Sequence, residues 1–358
     1  FALPGDDVTE KSTQTWSRYG PWEPRIREEC EAVRDKVGVL DLPGFSRFWV
    51  SGEGCSEWLE SQIAGSIPKV GKMNLAYFLD NRGRVVTEMS LMRGKHDDFF
   101  LITAATAQWH DFELLKSKLP MSGKIRIDDL SSKYSTLIVA GPESRELLSE
   151  FTSADLFLPW LSLQESNFKS SDVKFARVSF AGELGWEIHA KNEDILAIYE
   201  TILAAGAKPF GMFALNSLRI EKGYKTWKGD LSSDYSALES GLDRFIRLDK
   251  QNEFPGKPAV LIEKQKGVNK RAVTLIVAES DFDAPYMSTL WKDNQIVGEV
   301  TSGGWGYRVG AAIALGLIKN EFAVPGEQVE VDIYGKRVNA VVQENEPLWD
   351  PKNERIRA

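Results

Sequence analysis

Arg177-Val178-Ser179-Phe180-Ala181-Gly182-Glu183-Leu184-Gly185-Trp186-Glu187-Ile188 is the densest run of aromatic and carboxylate residues in a glycine-rich setting along this chain. It reads as two hairpin strands, over residues 175–180 and 186–190, joined at Gly182 to Gly185. That places Phe180 near the turn and Glu187 on the return strand. A carboxylate buried beside aromatics is costly unless a donor pair satisfies it. Glu187 is therefore either an exposed strand residue or a ligand contact, and the run alone leaves both open.

Outward from this run the chain falls into three stretches. Residues through about Tyr19 are polar and rich in Thr and Ser, an arm or linker. Pro24 opens a helix in which Ile26, Cys30, Val33 and Val37 recur at helical spacing, so Cys30 faces a core; Cys55 beside Trp58 and Leu59 does the same. Between Phe45 and about Leu130, strands at 48–50, 75–79, 85–92 and 99–103 alternate with helices at 56–63 and 106–118, and Asn81-Arg82-Gly83 is a hairpin turn. This is a small α+β sheet domain. The pattern restarts with a strand at 135–140, a helix after Gly141-Pro142, the opening run, a helix from Asn192 carrying Ile195, Ile198, Tyr199 and Ile202 on one face, and a helix at 214–221. After Phe254-Pro255-Gly256-Lys257, short β segments follow at 272–277, 289–291, 296–301, 312–317, 328–333 and 338–342, with turns at Asp293-Asn294 and Tyr334-Gly335. These read as a small barrel or sandwich. For 358 residues, three packed units fit better than two.

Composition removes several classes of function. Apolar residues at 42% and charged residues at 27% belong to a globular protein. The longest apolar stretches, such as 311–318, fall far short of the roughly 20 residues that span a bilayer. Phe1-Ala2-Leu3-Pro4-Gly5 has neither the basic start nor the apolar core of a secretory signal, and the absence of an initial Met suggests a processed chain or part of a longer one. Two cysteines suit a reducing compartment, so the cytoplasm is expected, or the mitochondrial matrix in a eukaryote. A net charge of −8 argues against nucleic acid, so any anion must be held by local charges.

General catalytic motifs are missing. Gly65 to Gly71-Lys72 has five residues between its glycines and no Ser or Thr after the lysine, so it reads as a turn rather than a phosphate loop. Gly304-Trp305-Gly306 with Gly310 fails the dinucleotide spacing. His96, His110 and His189 are isolated from one another and from cysteine, so no metal site is spelled, and each reads as a surface or supporting residue. Asp97-Asp98 reads as solvated charge in a turn.

The opening run resembles the Gly-Glu-x-Gly-x-Glu-Ile stretch of the glycine cleavage T-protein (aminomethyltransferase) family. Gly141-Pro142-Glu143-Ser144-Arg145, Leu218-Arg219-Ile220-Glu221, Leu238-Glu239-Ser240-Gly241-Leu242 and Thr301-Ser302-Gly303 are similar to further elements of that family, in order, from about Tyr19 to the C-terminus. Phe210-Gly211-Met212, Glu221-Lys222-Gly223-Tyr224 and Trp349-Asp350-Pro351 look closest to the folate-binding half of dimethylglycine and sarcosine dehydrogenases. The resemblance implies an α+β, three-domain, clover-like fold around a central folate funnel. A discontinuous domain over 1–44 and 131–245 and a second over 45–130 would be sheet domains. Residues 246–358 would form a C-terminal β-barrel or jelly roll.

The same resemblance implies tetrahydrofolate as cofactor, whose N5 accepts a one-carbon unit, so that the protein supplies orientation and electrostatics and no metal. Glu187 would accept the pterin donor pair, Phe180 would pack on the cofactor where relatives often carry Tyr, and Trp227 would wall the funnel. Arg219 is either a structural ion pair or a contact, and Arg355 and Arg357 could meet the folate glutamate tail. Glu88 stands where relatives carry an Asp near the reactive nitrogens, one methylene longer, and Arg244 stands where T-proteins tend to have tryptophan. The function implied is aminomethyl or methylene transfer in N-methyl amine or glycine-betaine catabolism, with a small methylated donor and a flavin dehydrogenase domain or subunit as partner. Its alternatives are a direct demethylase moving a methyl group from a sulfonium or quaternary amine to folate, and a non-catalytic folate-binding protein.

Overall fold

Pro24 fills the first turn of helix α1 (Glu23–Asp35), which buries Cys30, Val33 and Arg34 on its inner face. Beyond it the chain runs through β1 (Gly38–Asp41), β2 (Phe45–Gly52), α2 (Cys55–Gln62), β3 (Met73–Leu79), β4 (Val85–Arg93), β5 (Asp98–Ala104), α3 (Gln108–Ser117) and β6 (Ile125–Asp129). Then come β7 (Tyr134–Ala140), α4 (Ser144–Ser149), β8 (Leu163–Phe168), β9 (Ser171–Ala176), β10 (Gly185–Lys191), α5 (Asn192–Ala204), β11 (Lys208–Pro209) and α6 (Met212–Glu221). The last part holds α7 (Lys257–Lys266), β12 (Lys270–Val277), β13 (Thr289–Lys292), β14 (Gln295–Gly306), β15 (Ala311–Lys319), β16 (Gln328–Ile333), β17 (Lys336–Val342) and α8 (Glu354–Arg357). This computed structural model describes residues 18, 20–42, 44–278 and 281–358, so the arm expected through Tyr19 lies outside them apart from Arg18.

The strands form two open sheets and a closed barrel. The first sheet runs β11-β1-β7-β10-β9-β8, the second β3-β4-β5-β2-β6, and the barrel β12-β15-β14-β13-β16-β17. Alternation along β7 and β10 divides the first sheet between two cores. Leu137, Val139, Trp186 and Ile188 face α5, whereas Ile138 and Ala140 join Cys30, Ala214 and Leu218 of α1 and α6. Elsewhere that second face meets the second sheet, where His189 packs on Phe100 at 5.6 Å. Helix α6 also docks on the barrel through Ile220, Ile313 and Leu315. It thereby bridges the sheets to the barrel.

Several local readings are corrected. Strands β9 and β10 pair antiparallel as expected, with Glu187 opposite Ala176, but β9 stops at Ala176 and forms its tight hairpin with β8. Residues 177–184 are thus a long loop rather than a tight turn, and Phe180 lies within it. Strand β8 escaped notice because only its end residues are fully buried and polar side chains fill its middle. Helix α7, capped by Gly256, carries Pro258 in its first turn, where only β structure was expected. Residues 246–268, expected with the barrel, pack through Ile246, Phe254 and Val260 against Tyr77, Leu79 and Val85 of the second sheet. Asn192 makes no side-chain cap; its amide instead bonds Ser132 O and Ser135 Oγ. Asp98 is buried and accepts the His96 N–H, so that acid pair is not simply solvated. Both cysteines are buried free thiols, which burial pushes up to about 12.

A buried charge cluster ties α1, α6 and the C-terminal segment together. Arg34 bonds Glu183 at 2.9 Å and Glu221 at 2.7 Å, and its guanidinium lies 5.0 Å from the Trp349 ring. Trp349 Nε1 and Arg355 Nε also donate to Glu183, at 2.8 and 2.7 Å. Ion pairs this deep have little net value, but removing one partner strands the others. Arg34→Met should therefore cost about 3–5 kcal/mol, read as a lower urea midpoint with an unchanged slope. A loss under about 1 kcal/mol would show that the cluster relaxes without it.

Candidate active site

Two carboxylates face the gap between the sheets. Cross-strand partners share a face, and Glu187 pairs with Ile138 on one side and Ala176 on the other. Ile138 packs in the cluster that Phe180 borders, and Ala176 packs with Met73 and Met92. Met92 lies four residues from Glu88 on β4 and therefore points to the same face. Glu187 and Glu88 thus look into one interlayer space.

The surroundings of Glu187 are polar but give it no donor. Arg47, buried below it, spends its guanidinium on Thr136 Oγ1, Phe45 O and Leu42 O. Thr136 Oγ1 also bonds His189 Nδ1 at 2.9 Å. His189 Nε2 is 3.5 Å from Glu187 Oε2 and has no hydrogen-bond partner. Burial drives His189 well below its ordinary value, so this contact is not an ion pair. Among the described residues nothing hydrogen-bonds the Glu187 carboxylate, although its side chain is only 16% exposed. Burial raises its pKa to about 7, opposed by the charge of Arg47. His189 itself is fully enclosed rather than a surface residue.

Glu88 sits on β4 directly across from Tyr77. Burial raises Glu88 to about 7 against the pull of the nearby Tyr77 hydroxyl and of the Lys225 charge. The same burial drives Tyr77 well above its usual range. Tyr77 packs on Phe245 at 5.2 Å, and Tyr224 stacks on Phe180 at 5.7 Å with planes 21° apart.

The loop after α6 carries much of this wall. Gly223 takes a left-handed φ of 65° and closes the helix, with Tyr224 N–H bonding Arg219 O. Arg219 uses all five donors inside the chain, on Asn216 Oδ1 twice, Tyr224 O, Asp230 Oδ2 and Ser302 Oγ. Asp230 also accepts Thr226 N–H and Oγ1 and Thr301 Oγ1. Thr301 is the extra residue of a bulge in β14, which turns its hydroxyl out of the barrel ladder to that carboxylate. Trp227 donates to Thr87 Oγ1 at 3.0 Å and packs on His110 at 6.3 Å. Thr87 and Glu88 point to opposite faces of β4, so the structure holds the indole N–H on the side away from Glu88.

The remaining basic candidates lie elsewhere. Arg355 pairs with Glu183 and donates to Arg34 O. Arg357 is exposed and lies 5.6 Å from the Trp160 ring. Glu88, Glu187 and Phe180 therefore border the gap, while Arg219 and Arg355 are engaged in holding the chain together. Sequence reasoning assigned no role to Tyr77, Tyr224 or Lys225. A regular hairpin on the Asn81-Arg82-Gly83 turn would pair Tyr77 with Thr87; the bulge between Phe78 and Leu79 shifts its partner to Glu88. Among the described residues no group of His, Cys, Asp and Glu is placed to hold a metal, and no helix is long and apolar enough to cross a membrane.

Two sheets facing each other across an acid-lined gap, joined to a closed C-terminal barrel, define the aminomethyltransferase fold. A solved glycine cleavage system aminomethyltransferase T from Bartonella henselae superposes with a TM-score of 0.84 over 91% of this chain and 90% of its own, at 22% identity. Family models for the GCVT N-terminal domain and the glycine cleavage T-protein C-terminal barrel domain match residues 10–250 and 270–350. The chain belongs to the glycine cleavage T-protein family. It is 34% identical to the mitochondrial dimethylglycine dehydrogenase of Rattus norvegicus and 33% identical to that of Homo sapiens. Both matches cover 99% of this chain but only 42% of the relative, so the chain spans less than half the length of those relatives. It is 27% identical to an aminomethyltransferase of Listeria monocytogenes over 90% of this chain and 91% of that one.

The two raised carboxyls set a pH dependence. Each moves from 4.5 to about 7, so the folded protein holds these protons more firmly than the unfolded chain. The stabilisation is complete below about pH 4.5 and is lost as pH rises through about 7. Glu187→Gln stays neutral throughout, so its melting temperature relative to the parent should rise between about pH 5 and about pH 8. A difference that stays flat across this window would rule out a raised Glu187.

Proposed function

We propose that this chain is a tetrahydrofolate-dependent one-carbon transferase whose cofactor occupies the gap between the sheets. The observation that carries this reading is Glu187, a deep carboxylate to which no described residue donates. A pterin edge presents an amino group beside a ring N–H, the donor pair such a carboxylate lacks. The Phe180–Tyr224 stack offers an aromatic wall close by. Tetrahydrofolate, when bound, supplies the nucleophilic nitrogen that accepts the one-carbon unit.

The work of the chain is then orientation and proton management. Glu187 fixes the heterocycle against rotation. Glu88, raised to about 7 and set across the strand pair from Tyr77, can hold or release a proton at its carboxyl near neutral pH. As a carboxylate it favours positive charge developing on a reacting nitrogen beside it. Membership of the family and the likeness to dimethylglycine dehydrogenases support an N-methylated amine as the source of the carbon, passed on by a flavin dehydrogenase domain or subunit.

Glu187→Ala should weaken tetrahydrofolate binding by about 2 kcal/mol or more, through loss of a charge-assisted pair, as measured by calorimetry. Glu88→Gln should spare binding and lower turnover. Equal losses in both would make Glu88 a binding residue only. Supplied with tetrahydrofolate and formaldehyde, the protein should form methylenetetrahydrofolate faster than the uncatalysed condensation. With methylated amines it should do so only when a flavin dehydrogenase is present to oxidise the N-methyl group, and sulfonium compounds should give no methylenetetrahydrofolate. Exclusive formation of 5-methyltetrahydrofolate would point to direct demethylation, and no binding of folate would remove the reading.

A further inference from the structure

Of the three histidines only His189 is enclosed, and its two ring nitrogens meet different neighbours. On β10 it stands level with Thr136 of β7 and Lys174 of β9, and Phe100 of the second sheet covers its ring. Nδ1 lies 2.9 Å from Thr136 Oγ1. Nε2 lies 3.5 Å from Oε2 of Glu187, two residues back along the same face. Which nitrogen carries the proton follows from counting at Thr136. A hydroxyl offers two acceptor sites and one proton. Arg47 Nε and Nη2 donate to Thr136 Oγ1 at 3.2 and 2.8 Å and fill both sites. The hydroxyl proton is left for His189 Nδ1, which therefore accepts it. Burial and the charges of Arg47 and Lys174 keep the ring neutral, so its single proton sits on Nε2. That nitrogen is sealed from solvent, and among the described residues it has no hydrogen-bond partner. Lys174 turns its own ammonium to Glu165 on β8 and leaves Glu187 to the imidazole.

We propose that Arg47, acting through Thr136, holds His189 as its Nε2–H tautomer, so that an N–H rather than a lone pair faces Glu187 Oε2. His189 is then a positioning residue for the acid of the gap. This rests on the ligand-binding role proposed for Glu187 above and adds what prepares it. Arg47 acts at one remove, since its donors go to Thr136 Oγ1, Phe45 O and Leu42 O. A carboxylate has room for about four hydrogen bonds. A donor pair arriving from the gap takes one on each oxygen, and the His189 N–H supports Oε2 from behind. The opposite tautomer would set a lone pair against the carboxylate and disfavour its charge. At 3.5 Å the contact is longer than an N–H···O bond of about 2.9 Å, and a modest turn of the Glu187 side chain closes it.

The test is nitrogen NMR on the full chain carrying isotopically labelled histidine, without folate, with His189 assigned by its loss in His189→Gln. His189 should show a protonated Nε2 and an unprotonated Nδ1 from about pH 5 to about pH 8. In Thr136→Val the Nδ1 signal should move downfield as it loses its donor, and Thr136→Ser should return it. The melting-temperature difference between Glu187→Gln and the parent, expected to rise until about pH 8, should rise until about pH 9 when both also carry His189→Leu. His189→Gln, whose amide can place an N–H where Nε2 stands, should bring that limit back. Tetrahydrofolate should bind His189→Leu roughly tenfold more weakly than the parent, and His189→Gln within about threefold of it. Thermal melts report whether each variant folds, and the tautomer is read on the parent in any case. A protonated Nδ1, a charged ring, or an unmoved Nδ1 signal in Thr136→Val overturns the proposal. So does an unchanged pH limit, or folate affinity equal to the parent's, in His189→Leu. The expected tautomer and the shifted limit in a protein that binds no folate would uphold it while removing the proposed cofactor.

Discussion

The site depends on the Arg219–Asp230 pair more than on any residue that faces the gap. Arg219 leaves the last turn of α6 and meets Asp230 at 3.0 Å, in surroundings from which water is excluded. The loop between them carries Tyr224, Lys225 and Trp227. With five donors satisfied on one side and four bonds accepted on the other, that loop has one low-energy arrangement. The barrel enters the same network through Ser302 and Thr301. One side chain thus sets the position of the aromatic wall and the barrel relative to the sheets.

A second constraint is electrostatic. Glu88 and Glu187 are held where burial disfavours their charge, and each is only partly compensated. Such groups weaken the folded state above neutral pH, a cost that a bound donor pair or cation reverses. The residues that stabilise the fold behave oppositely. Glu183 and Glu221 are as deeply buried but surrounded by donors from Arg34, Trp349, Arg355 and the Arg308 backbone. Saturated carboxylates belong to the scaffold, and the unsaturated ones are those of the proposed site.

The same distinction explains how much could be read from the chain itself. Barrel strands, the helical stripe of α1 and the β3–β4 hairpin follow from periods of two and 3.6 residues, which are local properties. So were the two acids, through the stretches that carry them. What escaped was whatever depended on distant partners. Strand β8 is polar through its middle and is set by its ladder with β9. The hairpin turn was legible, but the bulge that brings Tyr77 opposite Glu88 was not. Arg219 and Arg355 carry the same charge as Arg357, and nothing along the chain tells a saturated guanidinium from an exposed one.

Local pattern and motif order therefore determined the family, the three-part architecture and the acidic residues of the gap. Tertiary structure alone decided which charged groups are satisfied: Arg47 is 140 positions from Glu187 in the chain and Lys225 is 137 from Glu88, yet these pairs share one interior. The reason is physical. Periodicity records which face of an element is buried, whereas the fate of a buried charge depends on whether a partner arrives from another element, and only folding settles that.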